Sequence, residues 1–311
     1  MFSLRGFSES LKQQYQASQN EVEKIVIINL INLTTKLIVE HGVDVCYPIP
    51  ENKIFLNNFE KKKYSQFQED GITEKIFEVI GTTNKFYLDF GGTETTNNSE
   101  VLHKEHGFTG VLWNGDDLPC EYTKIHKEYI TLDNILELCD KYKVPKEFDL
   151  LSIDIDGNDW YIWKKMCEDG RCRPRVVVIE YNATFPPPED KIVEYKEEFN
   201  YDLTIYQGAS IQAMYNLGRK LGYSLVASES MGYNLFFIRD DVVGDHFHGV
   251  NDVKMLYRTP KLGHRPCAPD GVSHTEDCLK TYRLDGFLGH KPDLLNRPWI
   301  SSSEAFFLNS N

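Results

Sequence analysis

The feature that most constrains the fold of this chain is the place where an alternation stops. Between about residue 72 and residue 221, short apolar runs alternate with helical stretches. Two β-rich runs, 223–228 and 234–239, then succeed one another across a short turn containing Gly232, with no helix between them. Strand segments are expected at 85–90, 110–114, 128–130, 148–155 and 176–181, and helices at 72–80, 99–105, 132–142, 160–168 and 210–221. Strands separated by single helices require crossover connections and hence a parallel sheet. The last two runs are close enough to close that sheet as an antiparallel hairpin. The expectation is an α/β chain with a mostly parallel sheet.

Around this series lie two appendages. Residues 8–41 carry Val22, Ile25, Val26, Leu30, Leu33 and Leu37 near helical spacing, and Gly42 is placed to stop the helices. With the connector over 46–63 they form a segment 1–62, a surface through which the chain could self-associate. The central domain is expected over 63–241 and a C-terminal extension packing on it over 242–311. No apolar run is long enough to span a bilayer; the richest, 25–33, contains Asn29 and Asn32.

Charge narrows the partners. The chain has 34 Lys and Arg against 47 Asp and Glu, a net of −13, which repels phosphate backbones and anionic membranes. Neither nucleic acid nor a membrane is an expected partner. Seven cysteines at irregular spacing, without a Cys-x-x-Cys pair, argue against a zinc ribbon or a disulfide scaffold. They fit a reducing, cytoplasmic setting.

The segment Asp89-Phe90-Gly91-Gly92-Thr93-Glu94-Thr95 comes after an apolar strand, where ligands meet the carboxyl edge of a parallel sheet. Glycines there let backbone approach a ligand closely, although an ordinary strand-to-helix turn reads the same way. A dinucleotide fingerprint needs a third glycine to seat a phosphate at a helix start, and none occurs after Gly92 until Gly107. A nicotinamide-dependent oxidoreductase is disfavoured on that ground and by the closing hairpin.

Five segments carry a family resemblance: Ser65-Gln66-Phe67-Gln68-Glu69-Asp70-Gly71, Asp89-Phe90-Gly91-Gly92, Gly110-Val111-Leu112-Trp113-Asn114-Gly115-Asp116, Leu151-Ser152-Ile153-Asp154-Ile155-Asp156-Gly157-Asn158-Asp159 and Val178-Ile179-Glu180-Tyr181-Asn182. In order and spacing the set resembles the FkbM-like methyltransferases, over about residues 63–241. The resemblance implies a Rossmann-like class I methyltransferase fold and S-adenosylmethionine as methyl donor. It implies donor contacts from Gln68, Asp70, Asp89, Gly91 and Gly92, with Asn114 or Asp116 at the ribose. The family usually has Glu where this chain has Asn114. The acceptor it implies is a hydroxyl of a sugar, glycan or related metabolite. A methyltransferase-like fold kept as a non-catalytic binding module is the alternative.

Asp154 and Asp156, two apart at an expected strand end, are read as sharing a face. Crowded carboxylates can raise one another's pKa and let one act as the base for an acceptor hydroxyl. They can equally hold a divalent cation such as Mg²⁺ together with Glu180 and Asn182 from the next strand end, an arrangement resembling metal-dependent O-methyltransferases. Structural uses remain open beside these: Asp159 as a cap for the next helix, Asp133 likewise, and Gln68 and Asp70 as a helix start. His103, His106 and His126 are expected at the surface. The aromatic-rich insertion 182–207 is expected either to cover the acceptor or to form a satellite core.

Overall fold

The structure, a computed structural model, describes residues 49–93, 96–115, 125–199, 206–258 and 297–308. The chain divides into two compact units, Met1–Lys53 and Ile54–Asn311, and the sheet, its helices and the cleft all belong to the second. The helices expected over 8–41 lie outside the described residues, as do Glu94, Thr95 and Asp116.

In chain order the elements are α1 (Glu69–Ile80), β1 (Phe86–Phe90), α2 (Glu100–His106), β2 (Thr109–Asn114), β3 (Ile125–Lys127), α3 (Ile135–Lys141), β4 (Glu147–Ile153), α4 (Asp159–Glu168), β5 (Arg173–Glu180), β6 (Ile192–Val193), α5 (Ile211–Leu221), β7 (Tyr223–Ser228), β8 (Asn234–Arg239), α6 (Val253–Leu256), β9 (Trp299–Ile300) and α7 (Ser302–Leu308). Seven strands form one sheet in the order β3-β2-β1-β4-β5-β8-β7. The first five pair in parallel, and β8 runs antiparallel to both β5 and β7. The architecture is the Rossmann-like α/β arrangement expected, and the hairpin falls on the expected residues.

Side-chain alternation explains the three layers. On one face Leu88 and Phe90 of β1, Leu151 and Ile153 of β4, Val177 and Ile179 of β5, and Leu235 and Phe237 of β8 pack with residues of α3, α4 and α5 such as Ile135, Trp163 and Leu217. On the other face Tyr87, Leu150, Val176, Val178, Phe236 and Ile238 meet α1 and α2 through Ile72, Ile76, Phe77, Val101 and Leu102. Both faces being apolar, the central strands read as continuous hydrophobic runs, as buried parallel strands must. Each large side chain so buried contributes roughly 1.5–3 kcal/mol.

Two strands differ from expectation. β3 lies at Ile125–Lys127, ahead of the expected 128–130, because β2 ends at Asn114, which pairs with Lys127. A single further bond, Glu128 N–H to the Asn114 carbonyl at 2.9 Å, extends the pairing. β4 stops at Ile153 and not at 155, since its partners Phe90 and Ile179 lie at or next to the ends of their own strands.

At the amino ends of the strands a buried ion pair ties the sheet to α1. Arg175 Nη1 donates to Asp149 Oδ1 at 2.7 Å and to the Gly81 carbonyl at 2.8 Å, while Nη2 reaches the Ile80 carbonyl at 2.8 Å. Asp149 also accepts from the N–H groups of Thr83 and Lys85. Every charge is hydrogen-bonded, the condition under which such a pair is tolerated in a core. The arrangement leaves the opposite, carboxyl ends free for chemistry. Strand order reverses direction between β1 and β4, so the loops leaving those two strands diverge and open a crevice. Among the described residues no helix is long and apolar enough to cross a membrane.

Candidate active site

The crevice is a cleft of about 440 Å³ beyond the carboxyl ends of β1, β2, β4 and β5. Its floor is backbone. Gly91 has φ +78°, and a Cβ built on it would run into the carbonyl oxygen of Asp154. The loops after β1 and β4 touch there, and glycine alone fits. A Cβ on Gly92 would meet the Asn97 Cβ at 2.7 Å. Gly91 N–H donates to the Trp113 carbonyl at 2.9 Å, which continues the ladder one step beyond β1.

Asp89 is 1% exposed and accepts from Ser99 N–H at 3.0 Å. It thereby fixes the start of α2. Burial pushes its pKa up to about 6, against hydrogen bonds from Ser99 and Ser152 that pull it down. Asn114, at the end of β2, donates its amide to the carbonyls of both Gly91 and Gly92 at 3.1 Å. A carboxylate at this position could not make those bonds and would face two carbonyl oxygens. This gives asparagine at the end of β2 a local reason.

Asp154 and Asp156 do come together, but not as neighbours on one strand face. β4 has ended before either residue, and Asp156 sits at φ +61°, so the loop turns their carboxylates inward. One carboxylate oxygen each from Asp154, Asp156 and Glu180 lie within 4.8 Å of one another. Burial, then the charges of Asp156, Asp159, Asp89 and Glu69, hold Asp154 well above the usual carboxylate range. Asp159 is the first residue of α4 and accepts from the N–H groups of Ile155 and Gly157, both at 2.9 Å. Its pKa is pushed up to about 6 by burial, with Asp156 adding to it against those bonds.

Three expected site residues stand apart from the cleft. Asn182 is bound on both sides, its amide donating to the Gln207 carbonyl at 2.9 Å and its oxygen accepting from Thr184 N–H at 3.1 Å. It shapes the loop after β5. Asp70 accepts on one oxygen from the N–H groups of Lys63, Tyr64 and Ser65 and from the Ser65 hydroxyl, at 2.6 to 2.9 Å. Gln68 precedes the first turn of α1. Asp70 organises the segment ahead of that turn, Gln68 makes no side-chain capping bond, and the residue of their segment that borders the cleft is Gln66. Asp133 is exposed and caps nothing; Asn134 and Thr131 bond reciprocally ahead of α3.

Sequence reading missed the amides. Asn158 and Asn234 both border the cleft, are 3% and 2% exposed, and each has an amide oxygen with no hydrogen-bond partner. The Trp113 indole N–H, buried between Phe90 and Tyr142, is likewise unpartnered. Unsatisfied buried polar groups are rare and need an explanation. The described part of the insertion 182–207 forms a satellite core, as one of its two expected uses. Val193, Tyr206, Phe185 and Trp299 form a satellite core with Phe199, and Phe199 also reaches the cleft and covers Gly157. His126 packs on Tyr142, and His103 Nδ1 contacts the Phe108 carbonyl. His106 lies by Glu74 and Glu105, a grouping its sequence spacing did not suggest. Compared with known proteins, the chain matches no family model and no curated protein.

Proposed function

We propose that this protein is an S-adenosylmethionine-dependent methyltransferase that methylates a hydroxyl of a sugar, glycan or related polyol. The observation that carries the reading is the cleft of about 440 Å³ beyond the carboxyl ends of β1, β2, β4 and β5, bordered by Gly91, Gly92, Asp89, Asp154 and Asp156. A parallel series in the order β3-β2-β1-β4-β5 closed by an antiparallel hairpin supports it, because class I methyltransferases resemble this arrangement more than dehydrogenases do.

The residues present fit the donor. S-adenosylmethionine would supply a methyl group on a positively charged sulfur, and the cleft borders carry Asp89, Asp154, Asp156 and Glu180. Gly91 and Gly92 line the cleft, and Asn114 holds both their carbonyls in place. In the reaction a C–O bond forms as the C–S bond breaks, and the hydroxyl proton must leave. Asp154 and Asp156 are placed to accept it, and the raised pKa of Asp154 suits it to hold a proton. Positioning does most of the remaining work in such a displacement.

A cleft plugged by its own side chains would favour a binding module; a volume of about 440 Å³ bordered by both Asp89 and Asp156 favours an enzyme. Titration calorimetry of the full chain with S-adenosylmethionine and S-adenosylhomocysteine is the direct test. Binding of both is expected, and no heat from a folded sample overturns the reading. A screen of sugars and polyols for S-adenosylhomocysteine release then finds the acceptor, and Asp154→Asn and Asp156→Asn should each lower turnover at least tenfold.

A further inference from the structure

We propose that Cys139 and Cys172 are a redox modification site, two thiols that hydrogen peroxide converts to a reversible disulfide tying the end of α3 to the start of β5. Their sulfurs lie 3.8 Å apart, and both side chains are buried free thiols. A disulfide has its sulfurs about 2.05 Å apart, so the pair has to close by roughly 1.8 Å. Both stand where the chain turns. Cys139 is in the last turn of α3, and Cys172 is in the link between α4 and β5, one residue ahead of the strand.

The backbone holds the two segments side by side. The Cys139 carbonyl accepts from Val144 N–H at 2.8 Å, and Cys172 N–H donates to the Met166 carbonyl at 3.0 Å. The residues next to the cysteines are paired as well: Asp140 Oδ1 accepts from Arg171 Nη2 at 2.5 Å and from Nε at 3.2 Å. Buried cysteines that only fill space need no charge beside them, whereas reactive ones sit next to a cation. Here the Cys139 thiol, and after it the Arg171 guanidinium, hold the Cys172 thiol below the usual thiol range against the effect of burial. The contact with Cys172, then burial, pushes the Cys139 thiol up. Cys172 is therefore the nucleophile, and Cys139 keeps its proton until the second step. Solvent begins one residue away, since the Asp140 side chain is 73% exposed.

In the first step the Cys172 thiolate attacks one peroxide oxygen, the O–O bond breaks, hydroxide leaves, and a sulfenic acid remains. Cys139 then attacks that sulfur, so that the S–S bond forms as the S–O bond breaks and the sulfenic oxygen departs as hydroxide. The two thiol protons convert both hydroxides to water. Two thiols lose two electrons, one peroxide gains them, and a dithiol reductant reverses the change.

The site lies at the amino ends of the strands, away from the cleft, and does not depend on the methyl-transfer reading. The full chain, reduced and then treated with a few equivalents of hydrogen peroxide, should lose two hydrogen atoms in mass. A non-reducing peptide map should join the Cys139 and Cys172 peptides, and dithiothreitol should separate them. Because the bridge joins residues 33 apart in sequence, the thermal midpoint of the oxidised chain should rise by roughly 5 °C. Cys167→Ser, which removes the third free thiol of the described residues, should leave the bridge intact. In Cys139→Ser, checked for its fold by circular dichroism, dimedone should capture the sulfenic acid on Cys172. Wild type in which the two cysteines stay reduced, join other cysteines, or are oxidised without joining overturns the site. Dimedone on Cys139 in Cys172→Ser, with none on Cys172 in Cys139→Ser, overturns the order of the steps. An unchanged midpoint overturns the tie between α3 and β5.

Discussion

The two halves of the cleft are made of different material. On the β1–β2 side the wall is backbone and amide: Gly91, Gly92 and the Asn114 bonds to their carbonyls. On the β4–β5–β8 side it is carboxylate: Asp154, Asp156 and Glu180, with the amide oxygens of Asn158 and Asn234. The first half is limited by space, because the loops already touch. The second is limited by charge, because like carboxylates lie close together. Changes of shape should therefore damage the first half and changes of charge the second.

The sharpest test is Gly91→Ala. A Cβ there combines positive φ with a collision against a backbone carbonyl that cannot step aside, and a loss of about 3–5 kcal/mol is expected by urea unfolding. A loss under about 1 kcal/mol would break the account of the first half. Next comes the pH dependence of Asp89. Its folded pKa of about 6 lies above its ordinary value of 3.8. The folded state therefore binds the proton more tightly, and stability must fall as pH rises between roughly 4 and 6. The full linkage is on the order of 3 kcal/mol, and Asp89→Asn should flatten the wild-type curve by about that amount. Identical slopes in both proteins would remove Asp89 as the cause.

Smaller again is Asn114→Ala, which deletes two hydrogen bonds to loop carbonyls and should cost about 1–2 kcal/mol. It should also weaken S-adenosylhomocysteine more than Asp156→Asn does; the reverse order would erase the division between the halves. Least severe is Gly157→Ala. Gly157 meets the Phe199 ring and has no positive φ, so a side chain has only to swing away. About 1 kcal/mol, the low end for overpacking, is expected by urea unfolding, since the Phe199 ring is only half-buried.

The fold was legible to the extent that burial wrote it into the chain. Continuous apolar runs located β1, β4 and β5 to within a few residues, and the missing helix before 234 located the hairpin. β3 was misplaced because a short edge strand is set by its partner's register and not by its own composition. At the site, Gly91, Asp89, Asp154 and Asp156 could be found because strand ends are where loops begin. Strand alternation, however, is not what joins Asp154 to Asp156; a turn after β4 does. Asn158 and Asn234 were invisible, since an asparagine in a sequence carries no mark of which of its atoms will be left unbonded. That depends on Glu69, Lys196 and a sheet order that brings distant segments together.

The small pair β6 and β9 has a temporal meaning. Ile192 and Val193, which lead into Phe199 over the acidic half, are paired with Ile300 and Trp299, roughly a hundred residues downstream. Every strand of the large sheet has left the ribosome before that partner is made. The backbone-built half can thus assemble during synthesis, whereas the cover of the charged half waits for a stretch of chain made later, a contact of high sequence separation that forms late. A protease that nicks the chain after the last strand of the large sheet and before β9 should loosen the cover first and leave the glycine floor standing.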